Sequence, residues 1–536
     1  MMAAMNDAGS ELPTHAVTNQ PPIRGARDLW ADDPVLRGHA IGADRAALAA
    51  YGAALGTEEA RAAASEAERI GPELRGFDRG GRRLDEVAFP AGYHHMMRLG
   101  LEAGYAAAPW TGGSHVTHAA MVYLHSQVEP GTCCPMTMSY AAVPLIRAAP
   151  DLGDWAARLT LAGYDPAVLP MARKRAITLG MAMTEKQGGS DLRSNTTQAR
   201  PGDGGWRLTG HKWFCSAPMS DGFLTLAQAP GGLTCFLVPR WLEGDRNAIH
   251  LMRLKDKLGN RANASAEIEY HDAFALQLGA AGRGIATILD MVHHTRLDTA
   301  LAPAGLMRGA LAEAHHWVRH RSAFQRRLID APLMQAVLAD LALDWEGATA
   351  LGLRVARAFD GGTDADRAFA RIAVALAKFL NNKLCPGLIY EAMEVLGGTG
   401  YVVESGLPML YREAPLNSIW EGSGNVICLD ILRTLARTPL AGEALEGELQ
   451  AATGQLRSYD AALAAHRDRW PTLPPEAEAR WFAESLARLL SAAVLLAQAP
   501  DAIAAAYADT RLGGPRGQVA GSMAAMDTRA ILERIG

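Results

Sequence analysis

Cysteine is scarce in this 536-residue chain, and lysine is missing altogether from its last hundred residues. The six cysteines, Cys133, Cys134, Cys215, Cys235, Cys385 and Cys428, lie far apart except for one adjacent pair. They offer neither a metal-ligand spacing nor a disulfide framework, and a reducing cytoplasm is the expected compartment. A long apolar run is also missing. The best candidate, about 486–508, is broken by Arg488, Gln498, Pro500 and Asp501, and the N-terminus lacks the basic-then-apolar order of a secretion signal; no membrane partner is expected. Neither sign of charge dominates, at a formal net −5, which argues against a general polyanion binder. From Arg437 to Gly536 ten arginines face twelve acids, so phosphate affinity there requires the arginines to be gathered by folding.

What is present is ordinary globular composition, 49% apolar and 20% charged, in a chain too long for one core. The texture changes along it. Residues 1–43 are polar and proline-bearing over the first ~35, which reads as an extended or partly ordered arm. Residues 44–178 carry alanine-rich amphipathic segments and form a helical unit. Over 179–281 short β-branched and aromatic runs alternate with glycine, asparagine and aspartate turns, as in Gly205-Trp206-Arg207-Leu208-Thr209-Gly210, which predicts a small sheet or barrel. The helical period returns over 282–438, and 439–536 is a further helical domain broken by prolines. The fold class is α+β, mainly α.

Met183-Thr184-Glu185-Lys186-Gln187-Gly188-Gly189-Ser190-Asp191 packs hydroxyls, backbone donors and two adjacent glycines into one turn. It reads either as a tight surface loop or as a cradle for a phosphate or a flat ring. Ile419-Trp420-Glu421-Gly422-Ser423-Gly424-Asn425 puts a carboxylate on a glycine-rich turn at a helix start. Glu421 either complements the helix dipole or is a base whose pKa is raised by burial against Trp420. Glu394-Val395-Leu396-Gly397-Gly398-Thr399-Gly400 closes a helix with more glycines than a C-cap requires. Arg319, His320, Arg321, Arg326 and Arg327 flank Phe324, either as a solvated face or as a pyrophosphate site. No metal site is expected: His316 and His320 have helical i, i+4 spacing but lack a third ligand. Gly279, Gly282 and Gly284 reverse the dinucleotide fingerprint and imply no Rossmann unit.

Together these segments resemble the acyl-CoA dehydrogenase family, at motif level over roughly Asp85 to Arg437. The chain is similar almost end to end to the family's AidB-like branch of alkylation-response flavoproteins. The branch signals are Thr14-His15-Ala16-Val17-Thr18-Asn19-Gln20-Pro21, Gly81-Arg82-Arg83-Leu84-Asp85, Met183 to Thr197, Leu254 to Arg261 and Asn417 to Asn425. The resemblance implies the acyl-CoA dehydrogenase fold, helical domain then β-domain then helical bundle, with FAD as cofactor. It assigns Met183, Thr184, Gly189 and Ser190 to the isoalloxazine and pyrophosphate, and Phe214 and Ser216 to the flavin ring. Arg321 and Phe324 match a pair reaching the adenine side of a neighbouring subunit's FAD, with Gln325 where glycine is usual. Glu394, Gly397 and Gly398 occupy a second cross-subunit FAD motif, with Glu394 in place of the common glutamine. A homo-oligomer, typically a tetramer, is thereby implied. Glu421 falls on the catalytic-base position, Ile419, Gly422, Ser423 and Asn425 line the flavin, and Arg296 lies near the substrate.

The implied reaction is α-proton abstraction by Glu421 with β-hydride transfer to FAD, on an acyl-CoA with a short or branched chain. Two other readings stay open. The branch is linked to duplex DNA through its C-terminal domain, where Arg480, Arg488, Arg511, Arg516, Arg529 and Arg534 would have to share a groove. A nitroalkane-type detoxifying oxidase would use the same base on another small carbon acid, although related nitroalkane oxidases carry aspartate at that position.

Overall fold

The computed structural model describes residue 14 and residues 17–536. Much of the expected arm, residues 1–13, 15 and 16, lies outside the described residues, and so do His15 and Ala16 of the Thr14–Pro21 segment. The expected extended arm ends earlier than residue 35. Leu29 and Trp30 are already buried, and helix α1 (Pro34–His39) follows, capped by Asp33, whose Oδ1 accepts from Leu36 N at 2.8 Å. The other oxygen of Asp33 takes the Tyr123 hydroxyl at 2.7 Å and pairs with Arg308 at 3.1 Å. A buried carboxylate with three such partners docks this segment onto the core.

The first helical unit comprises α2 (Arg45–Leu55), α3 (Glu58–Ile70), α4 (Ala91–Glu102), α5 (His115–Ser126), α6 (Cys133–Arg147) and α7 (Gly153–Leu159). It is not the wholly helical unit that the sequence predicts. Strands β1 (Glu73–Phe77) and β2 (Arg83–Ala88) form an antiparallel hairpin between α3 and α4. Its turn is fixed by Asp78 Oδ1, which accepts from Gly80 N at 2.7 Å and Arg82 N at 2.9 Å, an Asx-type turn. Exposure alternates along β1, the two-residue period of a strand. Every residue of α5 is buried.

Seven strands then make one sheet: β3 (Leu179–Ala182), β4 (Gln198–Gly202), β5 (Gly205–Ser216), β6 (Gly222–Ala229), β7 (Gly232–Pro239), β8 (Ile249–Leu254) and β9 (Ser265–Leu278). The strands β6-β4-β5-β9-β7 close into a ring because β7 also pairs with β6, while β3 hangs on β6 and β8 on β9. Closure removes the unpaired edges of a small barrel.

Helix α8 (Gly284–His320) runs 37 residues. It packs on α5, α6 and on the two helices that follow the short hairpin β10 (Ser322–Ala323) and β11 (Arg326–Arg327), namely α9 (Pro332–Phe359) and α10 (Asp364–Val395). Thr363 and Asp366 form a capping box at the start of α10. Among the described residues α10 is the one helix long and apolar enough to cross a membrane, and it lies inside this bundle. The chain continues through α11 (Gly398–Tyr401), α12 (Leu407–Glu413) and α13 (Gly424–Arg437), and then α14 (Pro439–Ala451), α15 (Arg457–Arg469), α16 (Ala479–Gln498), α17 (Asp501–Arg511) and α18 (Arg529–Leu532). Helix (55%) outweighs strand (15%), as a mainly α, α+β chain requires.

The C-terminal helices pack against α9 and α10, and the packing is partly ionic. Arg511 pairs with Asp340 at 2.6 Å and Asp344 at 2.8 Å, Arg516 with Asp340, Arg534 with Glu346, Arg488 with Glu484 and Arg529 with Glu533. The arginines singled out for a DNA groove are therefore largely neutralised by carboxylates, three of them across the interface with α9. Arg480 forms no ion pair among the described residues.

Candidate active site

The glycine turn sits at the end of β3. Glu185 N donates to Gly188 O at 3.3 Å and Gly188 N returns to Glu185 O at 3.0 Å. Beneath it the fully buried Glu185 carboxylate accepts from Lys212 Nζ at 2.8 Å, Thr197 Oγ1 at 2.6 Å, Thr196 N at 2.7 Å and Gln187 Nε2 at 2.6 Å. Burial alone would raise its pKa, but Lys212 and these donors outweigh burial and hold the carboxyl well below the usual range. Trp213 N donates to Thr184 O at 2.7 Å and Asn195 Nδ2 to Met183 O at 2.9 Å. With its interior satisfied, the turn leaves the amides of Gly189, Ser190 and Asp191 without a partner among the described residues. Successive free N–H groups of this kind make an anion nest. A Cβ on Gly189 would come within 2.6 Å of Thr184 Oγ1, so a side chain there would displace Thr184.

This turn forms one wall of a cavity of about 1130 Å³. Met183, Thr184, Gly189, Ser190, Phe214, Ser216, Arg296, Ile419, Glu421, Gly422 and Ser423 all line it. Residues far apart in sequence thus meet because β3, β5, α8 and the loop before α13 converge around one cavity.

Across the cavity, the loop carrying Glu421 has left-handed backbone at two successive residues, φ 57° at Glu421 and 100° at Gly422. A non-glycine residue in this region is strained and needs support from its surroundings. The Thr295 hydroxyl donates to Glu421 Oε2 at 2.7 Å, and Arg296 Nε donates to the Glu421 carbonyl at 3.2 Å. Burial raises the Glu421 pKa, against the opposing pull of Thr295, Lys378 and Arg296. Arg296 is itself fixed by Asp430 at 2.7 Å, which also holds Arg371 at 2.7 Å.

Six of the expected site residues lie outside this cavity. Arg321 and Phe324 belong to the hairpin after α8, where Phe324 (φ 51°) and Gln325 (φ 64°) form a tight turn that leaves Phe324 96% exposed. Glu394, Gly397 and Gly398 are exposed at the end of α10. Asn425, expected to line the flavin, lies at the surface. It is exposed at the start of α13, and its Oδ1 accepts from Arg480 Nη1 at 2.9 Å.

The Adaptive response protein AidB N-terminal domain family matches residues 19–166, the acyl-CoA dehydrogenase middle domain 180–273 and the acyl-CoA dehydrogenase C-terminal domain 282–436. The putative acyl-CoA dehydrogenase AidB of Escherichia coli (strain K12) is 46% identical over 463 residues, 84% of this chain and 86% of that protein. The chain belongs to the acyl-CoA dehydrogenase family, in its AidB-like branch. Acyl-CoA dehydrogenase family member 11 of Caenorhabditis elegans is 28% identical over 496 residues, 84% of this chain and 80% of that protein. The crystal structure of Caenorhabditis elegans ACDH-11, in complex with C11-CoA, superposes with a TM-score of 0.82 at 26% identity, covering 96% of each chain.

The family's cofactor is FAD, and the donors lining this cavity fit it. Successive unpaired amides at Gly189, Ser190 and Asp191 can hold a pyrophosphate, and Phe214 and Ser216 at the end of β5 line the same cavity. Among the described residues no group of three or more His, Cys, Asp or Glu is arranged to hold a metal ion.

Several lining or supporting residues were not legible as such in the sequence. Thr295, which holds Glu421, has no sequence signal of its own beside Arg296. Glu413 lines the cavity while only 2% exposed, with one oxygen on Asn260 Nδ2 at 2.9 Å and the other unpartnered, and burial pushes its pKa up to about 7. Lys378 lies behind the Glu421 loop, buried within the apolar stretch Ala373–Leu380. A lone lysine in such a stretch was a usable signal, since a buried lysine demands partners.

Proposed function

We propose that the protein is an FAD-dependent dehydrogenase that removes hydrogen across the α,β-bond of an acyl-CoA, with Glu421 as the base. The observation that carries this reading is the Glu421 carboxyl. It is held by Thr295 at 2.7 Å on a strained turn facing the same cavity as the unpaired Gly189–Asp191 amides. When bound, FAD supplies the acceptor for the hydride leaving the β-carbon. Glu421 accepts the α-proton, and its raised pKa brings its basicity closer to that of the carbon acid. Ser216 and Phe214 bound the ring space, and Arg296 holds the Glu421 carbonyl so that the side chain stays directed at the substrate. A second subunit, most simply within a homotetramer, would use the exposed Phe324, Gly397 and Gly398 to complete the adenine end of the site. The same base would act on a nitroalkane, and anaerobic mixing with each substrate separates the two reactions.

Cavity depth bears on the acyl chain. On α8 the lining residues Thr295, Thr299, Ala302 and Leu306 share one face, and they continue to Val122 and Ser126 of α5 and Cys133 of α6. From Thr295 to Leu306 this wall runs about 16 Å at the helical rise per residue. Val122, Ala302 and Leu306 give its far end an apolar surface, which supports a straight chain of medium length over a short branched one. We expect kcat/KM to rise about fourfold for each added methylene until the deep end is filled. Ala302→Phe should abolish that rise while sparing short chains. Faster turnover of isovaleryl-CoA than of every straight chain would contradict the chain-length assignment.

A further inference from the structure

We infer that Lys378 is a positioning residue for the base: its ammonium ties the two ends of the Asn417–Gly422 segment to α10 and so keeps the Glu421 carboxyl turned to the cavity. The inference rests on the reading of Glu421 as the base, and goes beyond it to what holds the base in place.

Lys378 is 2% exposed, yet among the described residues it forms no ion pair. Its Nζ instead donates to the carbonyls of Asn417 and Gly422, each at 2.9 Å. Those carbonyls bracket the stretch that contains both left-handed residues, Glu421 and Gly422. Strained backbone persists only where its surroundings over-determine it. Here Lys378 fixes the two ends, Arg296 fixes the Glu421 carbonyl between them, and Trp420 Nε1 donates to Asn417 Oδ1 at 2.8 Å. All these bonds engage main chain or the neighbouring asparagine. Among the described residues the Glu421 carboxyl has one hydrogen bond, from the Thr295 hydroxyl.

The same ammonium lies in the field of Glu421. The charged groups around the two are Arg296 from α8, Arg371 and Lys383 from α10, and Asp430 from α13, which neutralises both Arg296 and Arg371. Burial lowers the Lys378 pKa to about 7, with Glu421 opposing that shift and Arg296 and Lys383 adding to it. Each charge therefore favours the other's ionised form. Removing the lysine charge should raise the Glu421 pKa further, so that the base ionises only at higher pH.

The test compares FAD-loaded wild type with Lys378→Met and Lys378→Gln. Two quantities are read: the pH profile of flavin reduction by a straight-chain acyl-CoA, and hydrogen–deuterium exchange of the peptide spanning 417–426. In Lys378→Met the acid limb is expected to move up by about one pH unit, with kcat affected more than KM and faster exchange in the loop. Lys378→Gln keeps a donor without charge, so it should slow loop exchange again while the acid limb stays displaced. An unmoved acid limb together with unchanged exchange in Lys378→Met would overturn the inference. Insoluble protein from both variants would also overturn it, assigning Lys378 to folding instead. Failure of the base itself is distinguishable: wild-type rates in Glu421→Gln would remove the base, whereas the exchange data would still report whether Lys378 holds the loop.

Discussion

Glu421→Gln is expected to slow reduction of the bound flavin by an acyl-CoA about 10²- to 10⁴-fold, the usual contribution of a general base, without loss of FAD. The amide has nearly the volume of the carboxyl, and its oxygen can still accept from the Thr295 hydroxyl, which lies 2.7 Å from the native Oε2. The loop carbonyls remain held by Lys378 and Arg296. The substitution therefore removes basicity and leaves position intact. Stopped-flow mixing under anaerobic conditions reads the rate directly, and the absorbance of released flavin reads retention. Because burial already raises the Glu421 pKa, the wild-type rate should climb with pH as the carboxyl ionises. The variant should show no such limb. A Glu421→Gln protein that reduces flavin as fast as wild type would mean that another group takes the proton.

Lys212→Met is expected to have the largest effect on stability and on cofactor retention. The Lys212 and Glu185 side chains are both fully buried, 2.8 Å apart, and Lys212 Nζ also donates to the Leu226 carbonyl at 2.8 Å. Removing the lysine leaves the buried carboxylate hydrogen-bonded but without its counter-charge, at a cost of up to about 3–5 kcal/mol. The loss falls under the Met183–Asp191 turn, whose free amides depend on the Glu185 scaffold for their direction. Chemical denaturation of the apoprotein should show the destabilisation, and ultrafiltration of the holoprotein should show weakened FAD binding. Lys212→Met combined with Glu185→Gln removes the stranded charge and should recover part of the stability. A single variant as stable as wild type would show that the pair contributes nothing net.

The parts of this molecule that were legible in sequence are those whose signal is local. Two adjacent glycines among hydroxyls at Thr184–Ser190 mark a tight turn, Trp420-Glu421-Gly422 marks a carboxyl on a glycine-bearing loop before a helix, and the change from helical to strand texture near Leu179 coincides with the first strand of the sheet. What escaped notice depends on which elements meet. Thr295 has meaning only because α8 passes behind Glu421, and Lys378 only because α10 passes beneath the same loop. The hairpin Glu73–Ala88 was absorbed into a helical region because its strands are short and rich in charge, so their alternation carried little hydrophobic contrast. The C-terminal arginines were weighed as a possible groove by their number. The acids that engage Arg511, Arg516 and Arg534 come from α9, more than a hundred and fifty residues earlier in the chain, and no reading of the C-terminal stretch alone could supply them. Asn425 was assigned to the flavin because of its place in the motif, whereas Arg480 of the C-terminal domain engages it in the structure.

The most direct test is an anaerobic titration of the FAD-loaded wild-type protein with straight-chain acyl-CoAs of increasing length. Bleaching of the flavin is expected, faster at higher pH and with longer chains up to the limit of the cavity. FAD-replete protein whose flavin no acyl-CoA of any length reduces would contradict the assignment of Glu421 and its cavity to dehydrogenation.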